Sequence, residues 1–124
     1  GLGQYMEVGA RTGHEFDIQA MFDRIEHPAR GRRGGSEGAA TTIMRDDGVP
    51  MKGKGKQFVP HGCKVMMAFP GGAGYGSVSD RDLTLVKRDL ARGYISERTA
   101  AKDYGLTTAD IAKVRAAIAT GEHI

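Results

Sequence analysis

The chain has no tryptophan and only 6% aromatic residues among its 124. Aromatic rings usually supply the largest single buried areas, so a core here must lean on isoleucine, valine, leucine and methionine. Its one cysteine, Cys63, cannot form an internal disulfide. Nothing therefore suggests an oxidising compartment, and the expected location is cytoplasmic. No run approaches the roughly 18 apolar residues of a membrane helix. The opening stretch, Gly1 to Ala10, lacks the basic start and apolar segment of a secretory signal. Because the first residue is glycine and not methionine, the chain is expected to be processed, freed from a tag or cut from a longer polypeptide.

What is abundant is glycine. Nineteen in 124 residues is well above the usual share of about 7%. After Gly76 only Gly93, Gly105 and Gly121 remain. That shift divides the chain into a glycine-rich β body, residues 1–77, and a helical tail, residues 78–124, expected to pack on it as one structural domain. The length suits one modest domain. The net charge of +3 is uneven: Arg24 to Lys56 holds eight basic residues against four acidic ones. Such a stretch attracts anions, phosphates or acidic surfaces, although a solvated rim is the more ordinary reading.

Phe16, Ile18, Ala20 and Phe22 alternate with Asp17, Gln19 and Met21, the period of a half-buried strand. Gln4 to Val8 alternates more weakly and, with Gly9 to Gly13 as a turn, is expected to pair with it as a hairpin. Thr41 to Arg45 leads through the Asp46-Asp47-Gly48 turn signal into Val49 to Met51. Lys56 to Val59 and Lys64 to Phe69 complete six expected strands. Their short lengths and frequent turns suggest an antiparallel sandwich or barrel-like body, and with the tail an α+β fold. Between the second and third strands lies a long loop, Asp23 to Ala40, of the kind that is usually functional or mobile.

The tail carries three helix starts. Ser79 is placed to cap the first, with Asp82 at its third position and Val78 and Leu83 as a hydrophobic staple. Leu83, Val86 and Leu90 then share one face, and Gly93 stops the helix. Ser96 caps the second, with Ile95 and Ala100 as staple, and Gly105 ends it. Thr107 caps the third, with Asp110 at its third position, Leu106 and Ile111 as staple, and Ile111, Val114 and Ile118 along its apolar face.

Chemistry-bearing clusters are scarce. His14, His27, His61 and His123 stand far apart, whereas a zinc site needs three or four convergent ligands. Cys63 lies two residues from His61, so both can point to one face of a strand, but a lone cysteine there is ordinarily a packing residue. Pro70-Gly71-Gly72-Ala73-Gly74-Tyr75-Gly76-Ser77 lacks the lysine of a phosphate loop and the third glycine of a dinucleotide fingerprint. It is expected to be a close passage against another backbone, where a Cβ would not fit. Ser96 to Ile118 has the helix–glycine–helix spacing of a helix-turn-helix. From Ser79 onward, however, eight basic residues face seven acidic ones, without the basic footprint of a DNA reader.

Three stretches together resemble the C-terminal end of the hydantoinase B/oxoprolinase family. The first is Phe22-Asp23-Arg24 with His27-Pro28-Ala29-Arg30-Gly31 and Gly34-Gly35. The second is Lys52-Gly53-Lys54-Gly55, Pro60-His61-Gly62 and Pro70 to Gly76, where Ala73 departs from an all-glycine run. The third runs from Arg81-Asp82 through Arg88-Asp89, Gly93-Tyr94-Ile95-Ser96 and Ala100-Ala101 to Asp103-Tyr104-Gly105. The resemblance covers roughly Gly1 to Gly105. It implies an ATP-dependent hydrolase that opens a cyclic amide (hydantoin, 5-oxoproline or a related lactam), or a related ketone carboxylase. ATP and a divalent metal would serve the complete enzyme and no cofactor would sit in this segment. The implied partners are the remainder of the B subunit and a hydantoinase A-type ATPase subunit, with neither membrane nor nucleic acid expected. This chain alone is expected to be inactive and mainly structural or interfacial, and no catalytic residue is carried over. Asp23, Arg24, Gly71, Gly72, Gly74 and Tyr75 are the candidate contacts with a site or subunit boundary. The alternative from another class is a small DNA-binding regulator using residues 96–118.

Overall fold

In a computed structural model describing residues 1–121, five antiparallel strands precede three helices, an α+β arrangement as expected. The strands are β1 (Gln4–Gly9), β2 (Phe16–Met21), β3 (Thr42–Arg45), β4 (Lys54–Val59) and β5 (Lys64–Phe69). The helices are α1 (Leu83–Ala91), α2 (Glu97–Lys102) and α3 (Thr108–Thr120). The chain forms two compact units. One comprises Gly1–Arg32 with Ser36–Tyr75; the other comprises Arg33–Gly35 with the chain from Gly76 onward. Each has its own apolar core.

In the first unit the sheets are β1-β5-β3 and β2-β4. The alternation in β2 is realised as read: Ala20 is buried, Phe16 and Ile18 are half-buried, and Asp17, Gln19 and Met21 are exposed. Both sheets feed one core. Ile43, Val59, Val65 and Met67 are its buried members, with Phe16, Ile18, Phe22 and Phe69 packed against them. The expected hairpin of β1 with β2 does not form. β1 pairs with β5, in the register Met6↔Met67 and Val8↔Val65, and β2 pairs with β4. Alternation reports which face a strand buries and carries no information about its neighbour. A short 3₁₀ turn, Arg11–Gly13, leads from one sheet to the other, and the Gly13 carbonyl accepts the Gly62 N–H at 2.8 Å.

The Asp46-Asp47-Gly48 turn forms, with Gly48 at φ +84° and the Arg45 N–H donating to Val49 O at 2.9 Å. Its returning arm is a single bridge, Met44↔Pro50, and not a sixth strand. Pro50 has no N–H to extend a ladder. β4 starts at Lys54, two residues ahead of the expected Lys56.

The helical unit closes on itself. Val86 and Leu90 of α1, Ala100 of α2, and Leu106, Ile111 and Val114 form one buried cluster, with Ile95 and Tyr104 against it. The Ser96 and Thr107 caps form, accepting the Thr99 and Asp110 N–H groups, each at 3.1 Å. The first cap is Asp82 and not Ser79. Its carboxylate accepts the Thr84 N–H at 2.8 Å, whereas Ser79 lies in a 3₁₀ turn, Val78–Asp80, with its hydroxyl against Ser77. Arg81 is extended (φ −75°, ψ 129°), so no helix can run through it from Ser79. Aspartate caps as well as serine does, and the residue nearer the helix prevails. Leu83 and Ile118 are exposed, outside the faces assigned to them. After α1, Gly93 at φ +70° lets its own N–H reach Leu90 O and the Tyr94 N–H reach Asp89 O, the paired bonds of a Schellman ending. Among the described residues no helix is long and apolar enough to cross a membrane.

Candidate functional site

Two adjoining clefts lie in the first unit, where β2 ends and the long loop begins. The larger, of about 770 Å³, is walled by residues 22–27 on one side and 51–54 on the other. The smaller, of about 440 Å³, lies between Met21–Arg24, the 38–41 stretch and Phe69–Gly72. Phe22, Asp23 and Arg24 line both.

Backbone bonds hold these walls. The Phe22 N–H donates to Gly53 O at 2.8 Å, and the Thr41 N–H donates to Arg24 O at 2.8 Å. Gln57, projecting from β4, grips Lys52 from both sides: its Oε1 accepts the Lys52 N–H at 2.6 Å and its Nε2 donates to Lys52 O at 2.7 Å. Gly53 passes so close to Ile25 that an added Cβ would overlap the Ile25 Cδ1. Arg24 sits at φ +64°, a conformation costing a non-glycine residue of order 1–3 kcal/mol, and such residues gather at functional sites. Its carbonyl bond to Thr41, a residue only 4% exposed, helps hold that turn.

The rim is charged with both signs. Lys54 Nζ donates to Asp23 Oδ1 at 2.7 Å. That hydrogen bond first, and the lysine charge second, hold the Asp23 carboxyl below its usual range. Both side chains of this pair stand largely exposed at the rim. Arg24, Glu26, His27 and Lys52 complete the larger cleft's polar lining. The arrangement can anchor a charged or hydrogen-bonding surface. Among the described residues no three His, Cys, Asp or Glu side chains gather to hold a metal ion. Cys63 packs against the β core, His61 lies beside Gly13, and His123 falls outside the described residues.

The structure brings Asp23, Arg24, Gly71 and Gly72 to one place, around the smaller cleft. Gly74 and Tyr75 lie farther along the same glycine segment, tied to the long loop. The Arg32 N–H donates to Gly74 O at 3.0 Å, the Gly74 N–H donates to Ser36 O at 2.9 Å, and Tyr75 bridges Arg32 in parallel. The expected close passage holds at Gly71, where a Cβ would overlap the Gly1 carbonyl oxygen. It fails at Gly72, which has nothing within 4 Å of that position. The Gly1–Gly3 segment crosses at Gly71, while Gly38 runs close to the next residues, where its added Cβ would lie 3.0 Å from Gly72 O. Gln57 and Thr41, which hold the walls, were not singled out from the sequence, since their roles rest on contacts across the sheets.

In the second unit two ion pairs join the helices. Arg115 on α3 binds Glu97 on α2, and Lys87 on α1 lies 2.7 Å from Asp110 on α3. The Lys87 and Thr107 hydrogen bonds bring the Asp110 carboxyl down to about 2.

The chain is similar to an uncharacterized protein of the archaeon Methanocaldococcus jannaschii, 34% identical over 112 residues. That match takes in 84% of this chain and spans only 20% of the relative's length. No family model matches the chain, and no solved structure matches it.

Proposed function

We propose that this chain is the C-terminal portion of a hydantoinase B/oxoprolinase-type subunit, serving as a structural or interfacial part of an ATP-dependent enzyme that opens cyclic amides. The observation that carries the reading is the meeting of segments from two of the three sequence stretches on which the resemblance rests. Phe22-Asp23-Arg24, Lys52-Gly53-Lys54 and Pro70-Gly71-Gly72 are far apart in the chain, yet all line the paired clefts. A relative of which this chain spans only a fifth supports a place within a larger polypeptide. On this reading ATP and the divalent metal belong to the remainder of the enzyme. Asp23, Arg24 and their neighbours hold a subunit or site boundary in place and do not move protons.

The DNA-binding alternative draws less support from the helical unit. Of the two basic residues on α3, Lys113 and Arg115, the second is already engaged by Glu97. A groove-facing helix needs its cations free for phosphate.

The test is purification of the tagged chain from its native source under mild conditions. Intact mass and N-terminal sequencing of its companions, and an ATP-dependence assay on hydantoin, N-methylhydantoin and 5-oxoproline, would follow. The expected outcome is a complex with larger chains that opens one of these rings only with ATP. The isolated chain should give no turnover above a no-protein control. Recovery as a lone 13.3 kDa species, with salt-sensitive duplex binding lost in Lys113→Ala and Arg115→Ala, would overturn it.

A further inference from the structure

The two sheets of the first unit differ in width, three strands against two, and one edge strand of the wider sheet is part-exposed on its core-facing side. In the three-stranded sheet, the row Ile43–Met67–Met6 crosses from β3 through β5 to β1. Ile43 is 6% exposed and Met67 4%, but Met6 is 38% exposed. The next row repeats the pattern, with Val65 wholly buried beside Val8 at 38%. Met6 and Val8 share the core-facing side of the sheet with Met67 and Val65, because cross-strand partners lie on one face. The opposing sheet has two strands, β2 and β4. Its Phe16 and Ile18 pack against the cluster of Ile43, Val59, Val65 and Met67, to which β1 contributes no member. Gln4, the third member of that face of β1, carries no charge. The charged Glu7 lies on the opposite face, bound to Lys64 at 2.6 Å. A half-finished sandwich face of this kind calls for an apolar occupant.

We infer that an extended apolar segment from the remainder of the subunit lies across β1 over Met6 and Val8, as the missing third strand of the second sheet. This rests on the reading above, in which the chain belongs to a longer polypeptide. Four fifths of the archaeal relative lies outside the matched stretch, ample chain to supply one strand. A strand added only at the free edge of β1 would widen the sheet and leave Met6 and Val8 open, so the inferred segment is a facing one.

The experiment places a photo-crosslinking benzophenone side chain at Met6 in the tagged chain within its native source. A second sample carries it at Gln19, on the exposed side of β2. Irradiation, recovery of the complex and peptide sequencing should join Met6, and not Gln19, to an alternating apolar segment of the larger chain. In parallel, Met6→Lys with Val8→Lys should lower recovery of that chain by about tenfold or more. The isolated variant should keep its far-UV circular dichroism, since both sites are already part-exposed. A cross-link from Met6 to a second copy, with a concentration-dependent dimer, would overturn the inference. A complex that forms with no Met6 cross-link and full recovery of the double variant would overturn it while leaving the proposed function standing. Failure to recover any complex would sink both.

Discussion

Substituting alanine at Gly71 and at Gly72 should give opposite results one residue apart. Neither glycine lies in the left-handed region, so each replacement gains the same unfolded-state term, about 0.4–1 kcal/mol. At Gly72 nothing lies within 4 Å of the new Cβ, and the variant should be as stable as the parent or slightly more so. At Gly71 the new carbon overlaps the Gly1 carbonyl and comes 3.4 Å from Gly3 N. Gly3 has little room to retreat, since an added carbon there would itself lie 2.6 Å from Phe69 O. Overpacking of this type costs about 1–3 kcal/mol. The entropic term cancels between the two variants, so their difference isolates the overlap. For a domain of this size each kcal/mol moves Tm by about 4–8 °C. Thermal unfolding followed by far-UV circular dichroism should therefore separate the variants by at least about 4 °C, Gly71→Ala melting lower. Deleting Gly1 from Gly71→Ala should restore most of the loss. Melting temperatures within a degree of each other would refute the close approach.

In the helical unit, Leu106→Ala should cost about 2–5 kcal/mol by urea denaturation, because Leu106 is 3% exposed in the cluster of three helices. Ile118→Ala, at an exposed site, should stay within about half a kcal/mol. Asp82→Ala should lose about 0.5–2 kcal/mol as a cap, and Ser79→Ala should lose almost none; equal losses would return the cap to Ser79. The folded-state value of Asp110, about 2, lies below its ordinary 3.8. Its stabilising contribution is therefore whole above about pH 4 and fades as pH falls through 2. Asp110→Asn should flatten that part of the acid-unfolding curve, and an unchanged slope would show that the Lys87 pair does not persist in solution.

The sequence made legible what depends on neighbours within a few residues. The inward face of β2 follows from the alternation at Phe16, Ile18 and Ala20. The Ser96 and Thr107 caps and the Gly93 stop follow from local bonding chemistry. At the first helix the pattern pointed to Ser79, with Asp82 as its third-position partner, and did not reveal that Arg81 between them is extended. Strand partners were illegible because pairing is decided by side chains that meet across long loops, as Met6 meets Met67. The clefts were legible only in part. Asp23, Arg24, Gly71 and Gly72 were marked by the resemblance, but the Gln57 clamp on Lys52 and the Thr41 hold on Arg24 exist only once the sheets have formed.

The helical unit also has a consequence in stereochemistry. Gly93, Gly105 and Gly121, at φ +70°, +70° and +73°, are all solvent-exposed and occupy the backbone region natural to a residue of the opposite hand. Each is achiral by necessity, because the ribosome supplies no mirror-image alanine. In a chain assembled by chemical synthesis, D-alanine at these three positions would adopt the turn it already prefers and narrow the unfolded ensemble. An L-residue at any of them would work against the same turn.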